Sequence, residues 1–182
     1  MNKIFYNDIE LEIFEQVYEP REDSYLLADN LKVNEGMKVL DIGTGSGLQA
    51  IICAKQGANV IATDINPEAI KCAKRNAENT GVAIEFLQGN LFEPIKGKKF
   101  DLIIFNSPYL PEGSAPKEKT LLDLSYAGAD KINIFLDQYK NHLEPEGRAL
   151  LVHSSLSKIK VPGKIISAKK VAFEEIVLSE LE

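Results

Sequence analysis

Residues 37–64 read MKVLDIGTGSGLQAIICAKQGANVIATD, and this stretch decides the fold. It begins with an apolar run at residues 37–42 that predicts a strand, followed by a glycine-rich turn and a helical pattern at residues 48–55. A second strand is predicted at residues 59–63. Strands that are apolar on both faces and separated by helices are typical of a parallel sheet with helices on both sides.

The alternation of strands and helices continues beyond this stretch. Further strands are predicted at residues 83–87, 100–105 and 149–153, helices at residues 67–81 and 132–143, a hairpin at residues 4–13 and a helix from Glu22. Right-handed crossovers between such strands give a doubly wound α/β fold, in which a ligand binds outside the carboxyl ends of the strands. We expect a single domain, with the hairpin and first helix in residues 1–34 and the core in residues 35–182.

Composition and charge disfavour several classes of protein. The net charge of −6 and the sequence pI of about 5.1 argue against a protein that binds by neutralising many phosphates. No apolar run reaches the roughly 18 residues of a membrane span, and the first residues do not resemble an export signal. We therefore expect a cytoplasmic protein without membrane contact. Cys53 and Cys72 are expected to be buried thiols, and we expect no metal site.

One basic stretch departs from the acidic average. Residues 148–170 contain six Lys and Arg residues and no Asp or Glu. The favoured interpretation is a solvated face on the terminal strands. The alternative is an edge that contacts RNA or a protein partner.

The glycine-rich turn reads DIGTGSG at residues 41–47. Glycines there let the chain turn sharply and let a ligand contact the backbone. A dinucleotide fingerprint needs its third glycine at position 48, which is Leu48, so the spacing disfavours NAD. Asp41 opens the motif and favours a cationic ligand, and S-adenosylmethionine carries both a sulfonium and an ammonium group.

Asp64 ends the second strand, about 20 residues after the glycines, where a carboxylate can accept hydrogen bonds from ribose hydroxyls. Each motif alone is weak, because a glycine turn can serve packing and a strand-end Asp can cap a helix. Here Asn66 already supplies the cap of the next helix. Together the two motifs favour a nucleoside ligand.

The strand at residues 100–105 runs directly into Asn106-Ser107-Pro108-Tyr109. An amide side chain at the end of a buried strand is unusual unless something hydrogen bonds to it. The Asn106 side-chain oxygen and the Ser107 carbonyl can both accept hydrogen bonds from a planar NH₂ group that stacks on Tyr109, and Pro108 stiffens the turn. The alternative is a proline-rich exit turn with a buried Asn.

Four segments together resemble the successive motifs of class I methyltransferases of the N-P-P-Y type. They are the glycine turn at residues 41–47, Asp64, Gly89-Asn90-Leu91 and residues 106–109. Residues 17–27, VYEPREDSYLL, are similar to the N-terminal signature of the HemK-like release-factor glutamine methyltransferases, in their short archaeal and eukaryotic branch. The resemblance covers about residues 18–153. It implies a mostly parallel, seven-stranded Rossmann-like sheet with an N-terminal hairpin.

The resemblance also implies an activity. The cofactor would be S-adenosylmethionine, and the acceptor would be the side-chain amide of a glutamine in a Gly-Gly-Gln loop of a translation termination factor. Some members of the family act with a small zinc-binding activator subunit. The implied catalytic residues are Asn106, Ser107, Pro108 and Tyr109. The implied cofactor-binding residues are Tyr18, Pro20, Ser24, Asp41, Gly43, Gly45, Asp64, Ile65, Asn90, Leu91 and Asn106.

The chain departs from the family pattern at four places. Ser107 replaces the first proline, which keeps the carbonyl acceptor but is expected to loosen the turn. Asn90 replaces an Asp near the adenine and keeps an acceptor without the charge. Residues 128–131 only partly match a glycine-rich segment of the family, and residues 154–163 are too short for the helix that normally follows strand five.

Two other functions stay open at this point. A nucleic-acid methyltransferase acting on a base amine would present the same planar NH₂ group to residues 106–109, although the acidic charge argues against it. A weakly active cofactor-binding subunit would use the fold as an interaction scaffold. No general base is assigned, since His142 and His153 are expected to be structural.

Overall fold

The computed structural model describes residues 2–108 and 129–182. It begins with an antiparallel hairpin of β1 (Asn2–Tyr6) and β2 (Ile9–Ile13), followed by helix α1 (Glu22–Asn30). Asn7 at the tip of the hairpin has a φ of 51°, a conformation that Asn tolerates better than most side chains. The predicted hairpin and the predicted start of the first helix are therefore both confirmed.

The rest of the described chain alternates strands and helices. Its long elements are β3 (Lys38–Ile42), α2 (Leu48–Lys55), β4 (Asn59–Asp64), α3 (Pro67–Thr80), β5 (Glu85–Gln88), β6 (Phe100–Asn106), α4 (Ala129–Gln138), β7 (Leu143–Ser154), β8 (Lys164–Val171) and β9 (Glu174–Leu181). Short 3₁₀ turns lie at Glu93–Ile95, Tyr139–His142 and Ser155–Ser157. Helix α3 begins as the sequence predicts, because the Asn66 side chain accepts a hydrogen bond from the Glu68 N–H at 2.9 Å and Pro67 occupies the first helical position.

Strands β3 to β9 form one seven-stranded sheet in the order β5-β4-β3-β6-β7-β9-β8. Neighbours from β5 to β7 are parallel, whereas β9 runs antiparallel to β7 and to β8. Helices α1 and α2 contribute to the hydrophobic cluster on one face, and α4 contributes to the cluster on the other. This confirms the doubly wound, mostly parallel sheet. Its chain order reverses at β3, and the crevice at such a point is where ligands bind in open α/β sheets.

Some boundaries differ from the prediction. The helix predicted at residues 132–143 ends as an α-helix at Gln138 and continues as a 3₁₀ turn. The strand predicted at residues 149–153 extends back to Leu143, with a register shift against β6. Polar residues at the start of β7 conceal this extension, because only its later part is apolar.

Cys53 and Cys72 are free and buried, as predicted. None of the helices in the described ranges is long and apolar enough to cross a membrane.

Candidate functional site

A cavity of about 860 Å³ opens at the carboxyl ends of β3, β4 and β6. It contains all the sequence-predicted site residues that the structure describes: Tyr18, Pro20, Ser24, Asp41, Gly43, Gly45, Asp64, Ile65, Asn90, Leu91, Asn106, Ser107 and Pro108. Tyr109, the remaining predicted residue, lies outside the described residues. The structure thus brings together one site from five separate segments of the chain, at residues 18–24, 41–45, 64–65, 90–91 and 106–108.

The glycine turn between β3 and α2 presents backbone to this cavity. Gly43, Gly45 and Gly47 have φ values of 67°, 55° and 88°, which side chains rarely adopt. A Cβ at Gly47 would also lie 3.0 Å from the Cβ of Ala73 on α3. The glycines are therefore required both for the turn and for the close packing of helix α3 behind it.

Asp64 holds this turn in place from the end of β4. Its Oδ2 accepts a hydrogen bond from the Gly45 N–H at 2.9 Å, and its Oδ1 accepts one from the Asn66 N–H at 2.9 Å. Burial raises the pKa of Asp64, while those hydrogen bonds and the charge of Lys131 oppose the rise. Each carboxylate oxygen has a second acceptor position, so Asp64 can still receive two hydroxyl groups from a ligand.

Asp41 is almost completely buried beneath the same turn, with 1% of its surface exposed. It accepts a hydrogen bond from the Thr44 hydroxyl at 2.6 Å. Burial raises the pKa of Asp41 to about 7, and the nearby negative charge of Asp64 adds to that effect. A cation bound in the cavity would favour the charged form of both carboxylates.

The turn after β5 places Asn90 and Leu91 in the cavity wall. The Gly89 N–H donates to the Asp64 carbonyl at 3.0 Å, and a Cβ at Gly89 would lie 2.8 Å from Pro94. Leu91 has a φ of 46°, an uncommon conformation for a leucine. Strained backbone of this kind is frequent at ligand sites, and here it presents the Asn90-Leu91 pair to the cavity.

Asn106 ends β6 with its side-chain amide held in one orientation. Its Nδ2 donates to Asp23 Oδ2 at 3.1 Å and to Ser24 Oγ at 3.2 Å. A carboxylate can only accept hydrogen bonds, so the NH₂ end of Asn106 must face Asp23. The other end, Oδ1, is buried and has no hydrogen-bond partner among the described residues. A buried acceptor left in this state is an exception that calls for an explanation, and a ligand donor supplies one.

Ser107 corrects one expectation. We expected Ser107 to loosen the turn because it replaces a proline, but its hydroxyl donates to the Val152 carbonyl of β7 at 2.6 Å. The residue is 2% exposed. A hydrogen bond to the neighbouring strand thus fixes the turn here.

Sequence reasoning missed several residues of the cavity wall. Asp23, Gln49, Lys131 and Glu174 all line it, and Asp23 contacts Asn106 directly. Asp23 lies inside the N-terminal signature, where an acidic residue in the first turn of a helix has an ordinary explanation in the helix dipole. Its burial, 4% exposed, is the sign of another role, and that sign is visible only in the structure.

The two histidines lie outside the cavity lining, as their structural interpretation requires. His142 stacks on Phe92 with a centroid distance of 4.7 Å. His153 contacts the Ser179 hydroxyl at 3.0 Å through Nε2, and burial lowers its pKa. Both contacts tie elements of the fold together.

The basic stretch forms an exposed edge. Lys164, Lys169 and Lys170 are exposed on β8, the outer strand of the sheet. Arg148 instead pairs with Glu180, with 3.2 Å between nitrogen and oxygen. Lysines on an edge strand prevent pairing with other chains, which accounts for them without a nucleic acid.

The chain is similar to known methyltransferases in sequence and in fold. Residues 20–165 match the methyltransferase small domain family. A Methanocaldococcus jannaschii protein named, by inference, as a protein N5-glutamine methyltransferase is 40% identical over 93% of both chains. The release factor glutamine methyltransferase of Geobacter sulfurreducens is 34% identical over 70% of this chain, which spans only half of that relative.

A solved structure shows the same fold at lower identity. The methyltransferase of Pyrococcus furiosus superposes with a TM-score of 0.71 at 19% identity, covering 96% of this chain and 89% of that one. The N-terminal hairpin and the seven-stranded sheet thus belong to an architecture that methyltransferases use.

Proposed function

Since the chain belongs to the methyltransferase small domain family and is an S-adenosylmethionine-dependent methyltransferase, we propose that it methylates the side-chain amide nitrogen of a protein glutamine. The names of the relatives from Methanocaldococcus jannaschii and Geobacter sulfurreducens support glutamine as the methyl acceptor. The observation that carries the proposal is the Asn106 carboxamide, whose oxygen is buried without a partner among the described residues while its nitrogen is fixed. It is a preformed acceptor for a planar NH₂ group.

The cavity fits the cofactor in size and in chemistry. Asp41 would attract the ammonium group, Asp64 would accept hydrogen bonds from the ribose hydroxyls, and the Asn90-Leu91 turn would contact the adenine. Each oxygen of Asp64 accepts one hydrogen bond within the chain and can accept another from a ligand. This capacity and the backbone of the glycine turn support the assignment. When bound, S-adenosylmethionine supplies a methyl group on a sulfonium, which is a good leaving group.

The chain itself mainly orients the acceptor. An amide nitrogen is a poor nucleophile, so holding it in line with the methyl group contributes most, and orientation of this kind can lower a barrier by about 7–11 kcal/mol. The acceptor NH₂ donates to Asn106 Oδ1 and to the Ser107 carbonyl. These oxygens stabilise positive charge as it develops on the nitrogen, which gains the methyl group and then loses a proton to water.

The charges around the cavity favour a protein acceptor over a nucleic acid. Its described wall contains Glu19, Glu22 and Glu174 among its carboxylates and Arg21 and Lys131 as its cations, and the exposed lysines of β8 lie outside it. A wall with more carboxylates than cations repels the phosphates of a nucleic acid, whereas it tolerates or attracts a polypeptide. Because α1 contributes Asp23 and Ser24 to the site, residues 1–34 and 35–182 would act as one methyltransferase domain.

We further infer a release factor as the protein acceptor, a small zinc-binding activator as a partner of the enzyme, and a cytoplasmic location. The test uses S-adenosylmethionine with a labelled methyl group. It is offered with a release factor, with the same factor carrying Gln→Ala in its Gly-Gly-Gln loop, and with tRNA and rRNA, each with and without the activator. We expect label on the natural release factor and none on the Gln→Ala factor, the tRNA or the rRNA. Label on RNA, or on both factors equally, would contradict the proposal.

A further inference from the structure

Asp23 is a buried carboxylate without a cationic partner among the residues that the structure describes. It is 4% exposed, and it forms none of the ion pairs found in residues 2–108 and 129–182. Its hydrogen bonds come from neutral groups: Asn106 Nδ2 on Oδ2 at 3.1 Å, and the hydroxyls of Tyr18 and Ser24 on Oδ1 at 3.1 and 3.3 Å. A carboxylate buried in this way is expensive for the folded state, so its retention calls for a reason.

The position of Asp23 supplies that reason. Asp23 and Asn106 both line the cavity, and the NH₂ end of Asn106 donates to the Asp23 carboxylate. The buried oxygen at the other end of the same amide is the atom to which the proposed function assigns the acceptor. In a low-dielectric interior, hydrogen bonds in series polarise one another. The negative charge of Asp23 therefore increases the electron density on Asn106 Oδ1, where the acceptor NH₂ would bind.

We propose that Asp23 is a positioning residue that fixes the Asn106 carboxamide and, through it, stabilises the positive charge that develops on the acceptor nitrogen. The inference rests on the proposed function, because it assigns to Asn106 the hydrogen bond to the acceptor. Tyr18 and Ser24 complete the arrangement by holding the second carboxylate oxygen. Asp23 does not touch the acceptor and transfers no proton.

The variants Asp23→Asn and Asp23→Ala separate the charge from the orientation. Asn at position 23 has nearly the same shape, can accept from Asn106 Nδ2 through its oxygen, and can donate to the hydroxyls of Tyr18 and Ser24. It removes the charge and reverses the two hydrogen bonds with the hydroxyls, but it keeps the contact that orients Asn106. Ala removes both the charge and this contact, so that the Asn106 amide can rotate. Asp137→Asn, at an exposed position on α4, is the matched control.

Turnover under saturating conditions is the first readout. For Asp23→Asn we expect kcat to fall about 10- to 100-fold, because the hydrogen bond from Asn106 then has a neutral acceptor instead of a charged one. The acceptor KM and the Kd of S-adenosylhomocysteine should change less than about threefold, since the lost interaction strengthens only in the transition state. Asp23→Ala should lose more, and Asp137→Asn nothing. Near-normal kcat in both Asp23 variants, or a change confined to thermal stability and Kd, would overturn the inference.

The side-chain amide signals of Asn106 in nitrogen-15 NMR give a readout that needs no acceptor. They are assigned by their absence in Asn106→Ala. We expect the Nδ2 proton that faces Asp23 to be shifted downfield in the natural protein and to move upfield in both Asp23 variants. An unshifted signal in all three proteins would refute the orienting contact. If the NMR shift is present but the natural protein methylates no glutamine, the proposed function fails and the contact stands. If glutamine is methylated equally by all variants, the inference about Asp23 fails alone.

Discussion

The two halves of the cavity are built differently. The half that would hold the cofactor consists of turns that follow β3, β4 and β5, with Asp41 buried at the first turn and Asp64 hydrogen bonded to its backbone. The half that would hold the acceptor depends on side chains from distant segments. Asn106 is 83 residues from Asp23, and Ser107 is 45 residues from its partner Val152.

This difference determines how each half should fail. Backbone turns between parallel strands are fixed by the sheet, so side-chain changes there should weaken ligand affinity more than rate. The acceptor half depends on single hydrogen bonds that orient one amide, so changes there should reduce rate more than cofactor affinity. Substitutions in the two halves can therefore be compared directly.

Asn106→Ala should have the largest effect on rate. It removes the acceptor for the NH₂ group, and losing one such transition-state hydrogen bond reduces kcat about 10²- to 10³-fold. Calorimetry should find the Kd of S-adenosylhomocysteine within about threefold of the natural value, because the turns that follow β3, β4 and β5 are unchanged. Asn141→Ala, at an exposed position, serves as the control. Near-normal turnover would remove Asn106 from the mechanism.

Asp64→Ala should affect binding instead. It removes the carboxylate that would receive the ribose hydroxyls and that supports Gly45, so we expect the cofactor Kd to rise about 10- to 100-fold. Turnover at saturating cofactor should fall much less than in Asn106→Ala. Calorimetry and steady-state kinetics measure the two effects. A Kd that stays unchanged would show that the cofactor half lies elsewhere.

Asp41 predicts a pH dependence of stability. The pKa of Asp41 is raised from 3.8 to about 7 in the folded, cofactor-free protein. Between these two pH values the folded state therefore keeps a proton that the unfolded state has already released. The stabilisation that comes from this bound proton is therefore complete below pH 3.8 and is lost as the pH rises to about 7. Over this range the free energy of unfolding falls by up to about 1.4 kcal/mol per pH unit. Asp41→Asn should flatten this decline. Urea unfolding of both proteins at several pH values measures it, and equal slopes would contradict the buried, ionising carboxylate.

The double substitution Lys169→Glu with Lys170→Glu should have the smallest effect. These side chains lie on the exposed outer strand, away from the cavity lining. We expect methyl transfer to the release factor to change less than about twofold, as for most exposed substitutions. A loss of activity relative to the natural protein that is largest at low salt and shrinks as the salt concentration rises would favour a partner bound at this edge.

The cofactor half could be predicted from sequence because its signals are local. The glycines at residues 43–47 and the Asp64 carboxylate each follow an apolar strand, and parallel strands bring their carboxyl ends to one edge of the sheet. The structure needed only to add which hydrogen bonds join them. Their assignment to the cofactor stays a prediction until a ligand is seen.

The acceptor half could be predicted only in part. The Asn106 motif pointed to an amide at a strand end, but the direction of that amide depends on how α1 packs against β6. Ser107 was misjudged for the same reason, since Val152 becomes its neighbour only when β6 and β7 pair. Contacts between residues far apart in sequence are not visible in spacing or periodicity.

A crystal structure with S-adenosylhomocysteine and a glutamine-containing release-factor peptide would test the central claim most directly. The account predicts that the glutamine side-chain nitrogen lies between the coenzyme sulfur and Asn106 Oδ1, with Asn106 Nδ2 still on Asp23. An Asn106 amide turned out of the cavity, or a coenzyme bound away from Asp41 and Asp64, would contradict it.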